Sequence, residues 1–180
     1  MSDNNILPKT IFFFILLSVS CNSFRSDKEY AFLNNLEYSY VWTDNHPSNI
    51  VKDEYAKSGQ FVCRLDEQNP YSPTFNIRLD ELSEKFKVSK VVVSAWLRSD
   101  SLRVSPLIIL EYRDAARNVS NVENKQITMT ALNSGEWALY EYEFKADSSF
   151  TASRDNYIRV FLMNNTKSAV FCDDMTVTLK

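Results

Sequence analysis

The last two segments of the chain constrain its fold more than any other feature. From Tyr157 to Met163, Ile158, Val160 and Leu162 fall on one side, and Tyr157, Arg159 and Phe161 on the other. A period of two means a β-strand with one buried face. A polar turn, Asn164 to Ser168, leads into a second strand from Ala169 to Leu179. Strict alternation there puts Phe171, Asp173, Met175, Val177 and Leu179 on one face. Asp173 is then a carboxylate in an apolar row. A buried charge needs a partner, and a metal ion is one of the few good ones.

The same alternation recurs upstream. Leu36, Tyr38, Tyr40 and Trp42 predict a strand over 35–42, and residues 49–53 a short one. Phe61, Cys63 and Leu65 predict the next, then Phe75, Ile77 and Leu79, then Val91, Val93, Ala95 and Leu97, and later Ala138, Tyr140, Tyr142 and Phe144. A short segment, Gln126 to Met129, also reads as extended. Leu102 to Arg113 is a long apolar strand whose buried side is open, because Leu107 and Ile109 compete with Ile108, Leu110 and Tyr112. Pro106 within it predicts a sheet edge or a bulge, since proline cannot donate to a ladder. Only Asp80 to Phe86 reads as a helical turn. The chain has two glycines, so its turns rely on Asn, Asp, Ser and Pro, as in Thr43–Asn49 and Asn69–Pro73. Eight to ten short strands separated by turn clusters give an all-β fold, an antiparallel two-sheet β-sandwich or jelly roll. With 180 residues, 44% of them apolar, the chain is long enough for one domain with a real core, here residues 30–180.

The first twenty residues have a different character. Ile11 to Leu17 is apolar, follows Lys9, and is too short to span a bilayer. It fits the apolar region of a secretory signal. Small residues then lead to Cys21, after which the chain turns polar. This resembles a bacterial lipoprotein signal, in which the cysteine becomes the first mature residue and carries the lipid. Ser18 stands where such signals usually have a large aliphatic residue, and the alternative is an ordinary cleaved signal with an incidental cysteine. Residues 21–29 read as a polar tether, and Asp27-Lys28-Glu29 resembles the acidic tract of surface-exposed lipoproteins. The expected location is the outer membrane or cell surface, with a membrane anchored through lipid.

Several function classes find no support. The net charge is −3 without a basic cluster, so nucleic acid is not an expected partner. The only histidine is His46, in a turn cluster, and neither zinc-type Cys/His spacing nor a phosphate-cradling glycine loop occurs. With 23 acidic residues, no catalytic carboxylate pair can be singled out. The chain reads as a non-enzyme.

Two sets of side chains are candidates for ligand contact. Trp96 and Arg98 share the less apolar face of their strand, and Tyr157, Arg159 and Phe161 share that of theirs. Were both strands in one sheet, rings and guanidiniums would interleave on one surface, a composition enriched in recognition sites. Glu111 and Tyr112 are secondary candidates. The plainer reading is that Trp96 and Phe161 pack under loops and the arginines are solvated. Strict alternation puts Cys63 and Cys172 on opposite faces, which favours two free thiols over a disulfide.

Four pieces in order resemble the galactose-binding-like jelly roll of many carbohydrate-binding modules: Asn35-Leu36-Glu37 with Trp42; Ser58-Gly59-Gln60-Phe61-Val62; Val92 to Arg98; and Trp137, Tyr140 and Phe144 leading to Ile158-Arg159-Val160 and Phe171 to Met175. The resemblance implies a structural Ca²⁺ held by Glu37, by backbone oxygens near the Ser-Gly loop and by Asp173, with Asp174 in its place if the face assignment slips by one. The alternative is that both carboxylates are solvated or accept from backbone N–H groups. It also implies structural roles for Trp42 and Trp137, and binding of a glycan or polysaccharide without chemistry. A protein partner contacted by the same sandwich is the alternative function.

Overall fold

Among the described residues, ten strands form two antiparallel sheets: β1 (Tyr30–Asn34), β2 (Ile50–Lys52), β3 (Phe61–Leu65), β4 (Phe75–Arg78), β5 (Lys90–Arg98), β6 (Leu107–Arg113), β7 (Val119–Gln126), β8 (Ala138–Lys145), β9 (Tyr157–Met163) and β10 (Val170–Leu179). The computed structural model describes residues 29–37, 42, 49–101, 104–129 and 135–180. The signal segment, Cys21 and His46 lie outside the described residues. One sheet has the order β2-β3-β10-β5-β8, with β1 also paired to β10; the other is β4-β9-β6-β7. β5 lies along one edge of β10, while β3 and β1 divide the other, meeting Val170–Cys172 and Met175–Leu179 respectively.

The core lies between the sheets, as the alternation requires. Val91, Val93, Ala95 and Leu97 of β5 and Ile158, Val160 and Leu162 of β9 are fully buried. Each large aliphatic side chain of this kind contributes roughly 1.5–3 kcal/mol. The ambiguity in β6 resolves toward Ile108, Leu110 and Tyr112, all buried at 0% exposure. β6 is an interior strand between β9 and β7, not an edge. It begins one residue after Pro106, so the missing N–H falls outside the ladder, while the Pro106 carbonyl still accepts from Ile127.

Three elements differ from the sequence expectations. Of the strand predicted over 35–42, residues 38–41 lie outside the described residues, and the described 35–37 are not extended: β1 stops at Asn34, whose Oδ1 accepts from the Leu36 N–H at 2.9 Å. Leu36 then takes φ +64°, which ends the extended run. The short α1 (Ser148–Thr151) carries no apolar period; it exists because Asp147 caps it, accepting from Ser149 N and Phe150 N. Phe150 then packs edge-on against Tyr112 at 5.0 Å.

The third difference is a bulge in β10. Its pairing with β5 runs to Asp173↔Trp96 and resumes at Thr176↔Ser94, so β10 spends one more residue than β5. Asp174 absorbs it at φ +46°. One extra residue exchanges the faces on either side. Cys172, Met175, Val177 and Leu179 therefore face the core, whereas Phe171 stands beside outward-facing Arg98.

Candidate functional site

β5 and β9 belong to different sheets, so the five candidate ligand residues are split between opposite sides of the sandwich. The surface that interleaves rings with arginines does not exist as one face. Trp96 and Arg98 lie on the outside of the six-stranded sheet. Tyr157, Arg159 and Phe161 lie on the outside of the four-stranded one.

The outer face of the four-stranded sheet is set by register. Arg159 stands between Glu111 of β6 and Asn76 of β4, and Tyr157 between Arg113 and Arg78. Glu111 Oε2 accepts from Arg159 and Arg113, each at 2.9 Å. All three side chains are at least half-buried, so this carboxylate fixes two guanidiniums on the sheet. Arg117 stacks over Tyr157 at 5.5 Å. Asn76 Oδ1 is buried without a hydrogen-bond partner. Phe161 is only 8% exposed. It is covered edge-on by Tyr71, 5.9 Å away, a residue that is itself 47% exposed. The ring open to a ligand here is therefore Tyr71. It sits in the Asn69–Pro73 turn, where strand alternation carries no information about facing. Its chain position is fixed by the bridge to Met163. Beside it lies a groove of about 280 Å³ lined by Asn49, Gln68, Asn69, Pro70 and Tyr71. Asn49 is 1% exposed, and its Oδ1 has no hydrogen-bond partner.

On the other side, Arg98 is committed internally. It is 7% exposed and pairs with Asp53 at 2.5 Å. Its guanidinium lies 4.6 Å from the Phe171 ring, 5.1 Å from Trp137 and 5.9 Å from Tyr55. Trp137 is half-buried rather than in the core and donates its indole N–H to the Tyr55 carbonyl at 2.6 Å. Trp42, by contrast, is a core residue, 3% exposed and edge-on to Phe75. Trp96 is half-buried beneath the Lys57 ammonium, 3.9 Å from the ring centre. Lys52, Asp53, Glu54, Tyr55, Asp100 and Gly135 surround Arg98 in an open cleft of about 710 Å³. Charges of both signs already face each other there.

Glu37 and Asp173 do converge on the Ser-Gly loop, but as acceptors. Glu37 Oε1 accepts from Gln60 N at 2.7 Å and Phe61 N at 3.0 Å. Asp173 accepts from Ser58 N at 3.0 Å and Asp174 N at 2.8 Å, while Asp174 accepts from the Ser58 hydroxyl at 2.8 Å. Burial pushes the Asp173 carboxyl up to about 6, against the opposing pull of these N–H groups. Among the described residues no three His, Cys, Asp or Glu side chains gather as a metal-ligand set. Ca²⁺ takes six or more oxygens, and the loop turns N–H groups toward these carboxylates. The described residues do not fit a calcium ion.

No family model matches the chain, and no curated protein matches it in sequence. Solved structures match its fold. The CBM22-2 xylan-binding domain of Xyn10C from Paenibacillus barcinonensis superposes with a TM-score of 0.53 at 15% identity, over 83% of this chain and 99% of that one. The CBM22-1 domain of the same protein gives 0.48 at 15% identity, over 72% and 78%. TmCBM61, solved with β-1,4-galactotriose, gives 0.40 at 13%, over 82% and 86%. At these identities the likeness is one of fold: the chain shares the two-sheet antiparallel jelly-roll sandwich of the CBM22-2 domain.

Proposed function

We propose that this chain is a non-catalytic glycan-binding domain whose ligand lies across the outer face of the four-stranded sheet, from Tyr71 toward Tyr157. The observation that carries this reading is the Tyr71 ring. It is open to solvent between a groove lined by amides and the row formed by Phe161, Arg159 and Glu111. A flat ring offers a stacking surface for the apolar face of a sugar, and the amides and the fixed guanidinium meet its hydroxyls. The fold supports the same reading, since a domain that shares it binds xylan, and makes xylan the first polysaccharide to test. We further propose that Cys21 carries a lipid that holds the domain at the outer membrane or cell surface. A polysaccharide screen on immobilised glycans tests the binding. Selective retention that Tyr71→Ala abolishes and Trp96→Ala leaves unchanged supports this face. Retention that responds only to Trp96→Ala rules it out. Incorporation of labelled palmitate that Cys21→Ser abolishes tests the anchor.

A protein partner is the second reading. Leu139 is 52% exposed directly opposite Trp96 on the outside of the six-stranded sheet. An exposed leucine beside a half-buried indole suits a protein contact. A blank screen with folded protein, together with capture of a partner that Leu139→Glu abolishes, favours this alternative.

A further inference from the structure

Cys63 and Cys172 are 1% and 2% exposed, and neither is bridged. Strict alternation separates them, but the extra residue at Asp174 lies between Cys172 and Met175 and turns Cys172 onto the core face. Cys172 is then the direct cross-strand partner of Cys63 in the β10–β3 ladder. Directly opposed side chains project to the same side of a sheet. Both also border one cavity of about 10 Å³, with Met175 and Trp42. Opposed residues of an antiparallel pair have Cα atoms about 4.5 or 5.5 Å apart. Disulfides span Cα separations of about 4.4–6.8 Å. The register therefore places the two Cα atoms within the span of a disulfide, and the cavity beside them gives the two sulfurs room to turn.

We propose that Cys63 and Cys172 are a disulfide site that closes while the chain folds and is sealed once folding is complete. The oxidant belongs to the disulfide-exchange class, R–S–S–R. One cysteine attacks it as the thiolate, breaking the R–S–S–R bond, forming a mixed disulfide and releasing one RSH. The second cysteine displaces the remaining RSH, forming the Cys63–Cys172 bond. The two cysteine hydrogens end on the two released thiols, and the oxidant is reduced by two electrons. Exchange needs an accessible thiolate. In the folded chain both thiols are out of reach, and burial raises both well above the ordinary thiol range. The pair thus records the redox state of the compartment in which the chain folds.

The bond would join residues more than a hundred positions apart, tying β3 to the central strand β10 just beneath the loop held by Asp173. A closure of that length raises Tm by on the order of 5–15 °C. This inference does not rest on glycan binding, and either can fail alone.

The test uses the full chain carrying Cys21→Ser, so that only two cysteines remain. The protein is unfolded with reductant and refolded in a mixture of glutathione and glutathione disulfide. The products are denatured, alkylated and mapped by mass spectrometry. The expected result is a monomer with a Cys63–Cys172 peptide pair and the raised Tm, which Cys172→Ala loses. Protein folded under reductant and then given glutathione disulfide stays reduced for many times longer than the refolding sample takes to close. A refolded monomer with two free thiols, or with glutathione adducts only, overturns the site. Folded reduced protein that closes as fast as the refolding chain overturns the sealing.

Discussion

A Cβ placed on Gly59 would lie 2.0 Å from Oε1 of Glu37. The carboxylate occupies that space because it accepts from Gln60 N and Phe61 N just beyond the glycine. Gly59 also has φ +58°, a region that costs an L-residue about 1–2 kcal/mol. Gly59→Ala therefore combines backbone strain with the loss of two charge-assisted hydrogen bonds. The expected cost is about 2–4 kcal/mol in chemical denaturation. Glu37→Gln, which keeps one accepting oxygen and the shape, should cost well under half as much.

Asp173 gives stability an unusual pH dependence. Its folded pKa, raised to about 6 by burial, lies above its unfolded value near 3.8. Between those values the folded state holds a proton that the unfolded state has lost. This group's contribution to stability is therefore greatest below about pH 4, falls as pH rises through 6 and is flat above. The size is on the order of 1–3 kcal/mol. Asp114 and Asp147, whose pKa values hydrogen bonds lower, act in the opposite sense at lower pH. The difference between wild type and Asp173→Asn isolates the group. That difference should change between pH 4 and 6.5 and be constant above. A constant difference throughout contradicts the raised pKa.

Metal dependence separates the hydrogen-bonded loop from the calcium site that the resemblance implies. A ligand specific for the native state must raise its stability. With Glu37 and Asp173 engaged by N–H groups, millimolar CaCl₂ or EDTA should leave Tm at pH 7 unmoved within about 1 °C. A calcium-dependent rise that Asp173→Asn abolishes would restore the ion.

The sandwich was legible because it rests on strands with one clean apolar side, such as Val91 to Leu97 and Ile158 to Leu162. The site was less legible. The Asp174 bulge leaves one trace in the hydrophobic pattern, Asp173 in an otherwise apolar row, but Phe171 and Met175 are apolar on either reading, so only backbone geometry shows the extra residue. It alone inverts the relation of Cys172 to Cys63. Sheet membership is likewise non-local, so Trp96 and Phe161 looked alike although they face opposite ways. Tyr71 was hidden in a proline-bounded turn, where side-chain direction follows tertiary contact with Phe161. β7, polar and exposed along almost its whole length, met the expected segment Gln126–Met129 only at its last residue, since its pairing with β6 comes from backbone hydrogen bonds.

Arg98 and Asp53 form a pair with little access to water, their side chains 8% and 14% exposed. Three rings also surround the guanidinium. Removing one partner of such a pair typically costs about 3–5 kcal/mol, because the survivor stays buried and uncompensated. Asp53→Asn should fall near the lower end, since its oxygen still meets Arg98. Asp53→Asn with Arg98→Met should recover part of the loss, and a denaturation double-mutant cycle measures the coupling. Additive losses would mean that the rings alone hold Arg98.

Glu111 has a stronger claim on the proposed ligand face than its charge suggests. One oxygen holds Arg159 and Arg113 together, with side chains 13% and 27% exposed. Glu111→Gln halves the acceptor capacity and removes the charge, so the two guanidiniums repel and Arg159 loses its fixed position beside Phe161. Stability should fall by roughly 1–3 kcal/mol, the cost of leaving a charged donor poorly met. Arg159→Ala removes the donor itself and should cost less stability, because Glu111 keeps Arg113. Binding should rank differently. If Arg159 contacts the glycan, both variants weaken it by roughly tenfold, about 1.4 kcal/mol. Arg113→Ala, which leaves the Arg159–Glu111 bond intact, should weaken it much less. Titration calorimetry with the polysaccharide retained in the screen, beside urea denaturation of each variant, reads the two rankings. Affinities that simply follow stability would make this network a support for the sheet and leave Tyr71 with the amide groove as the whole of the site.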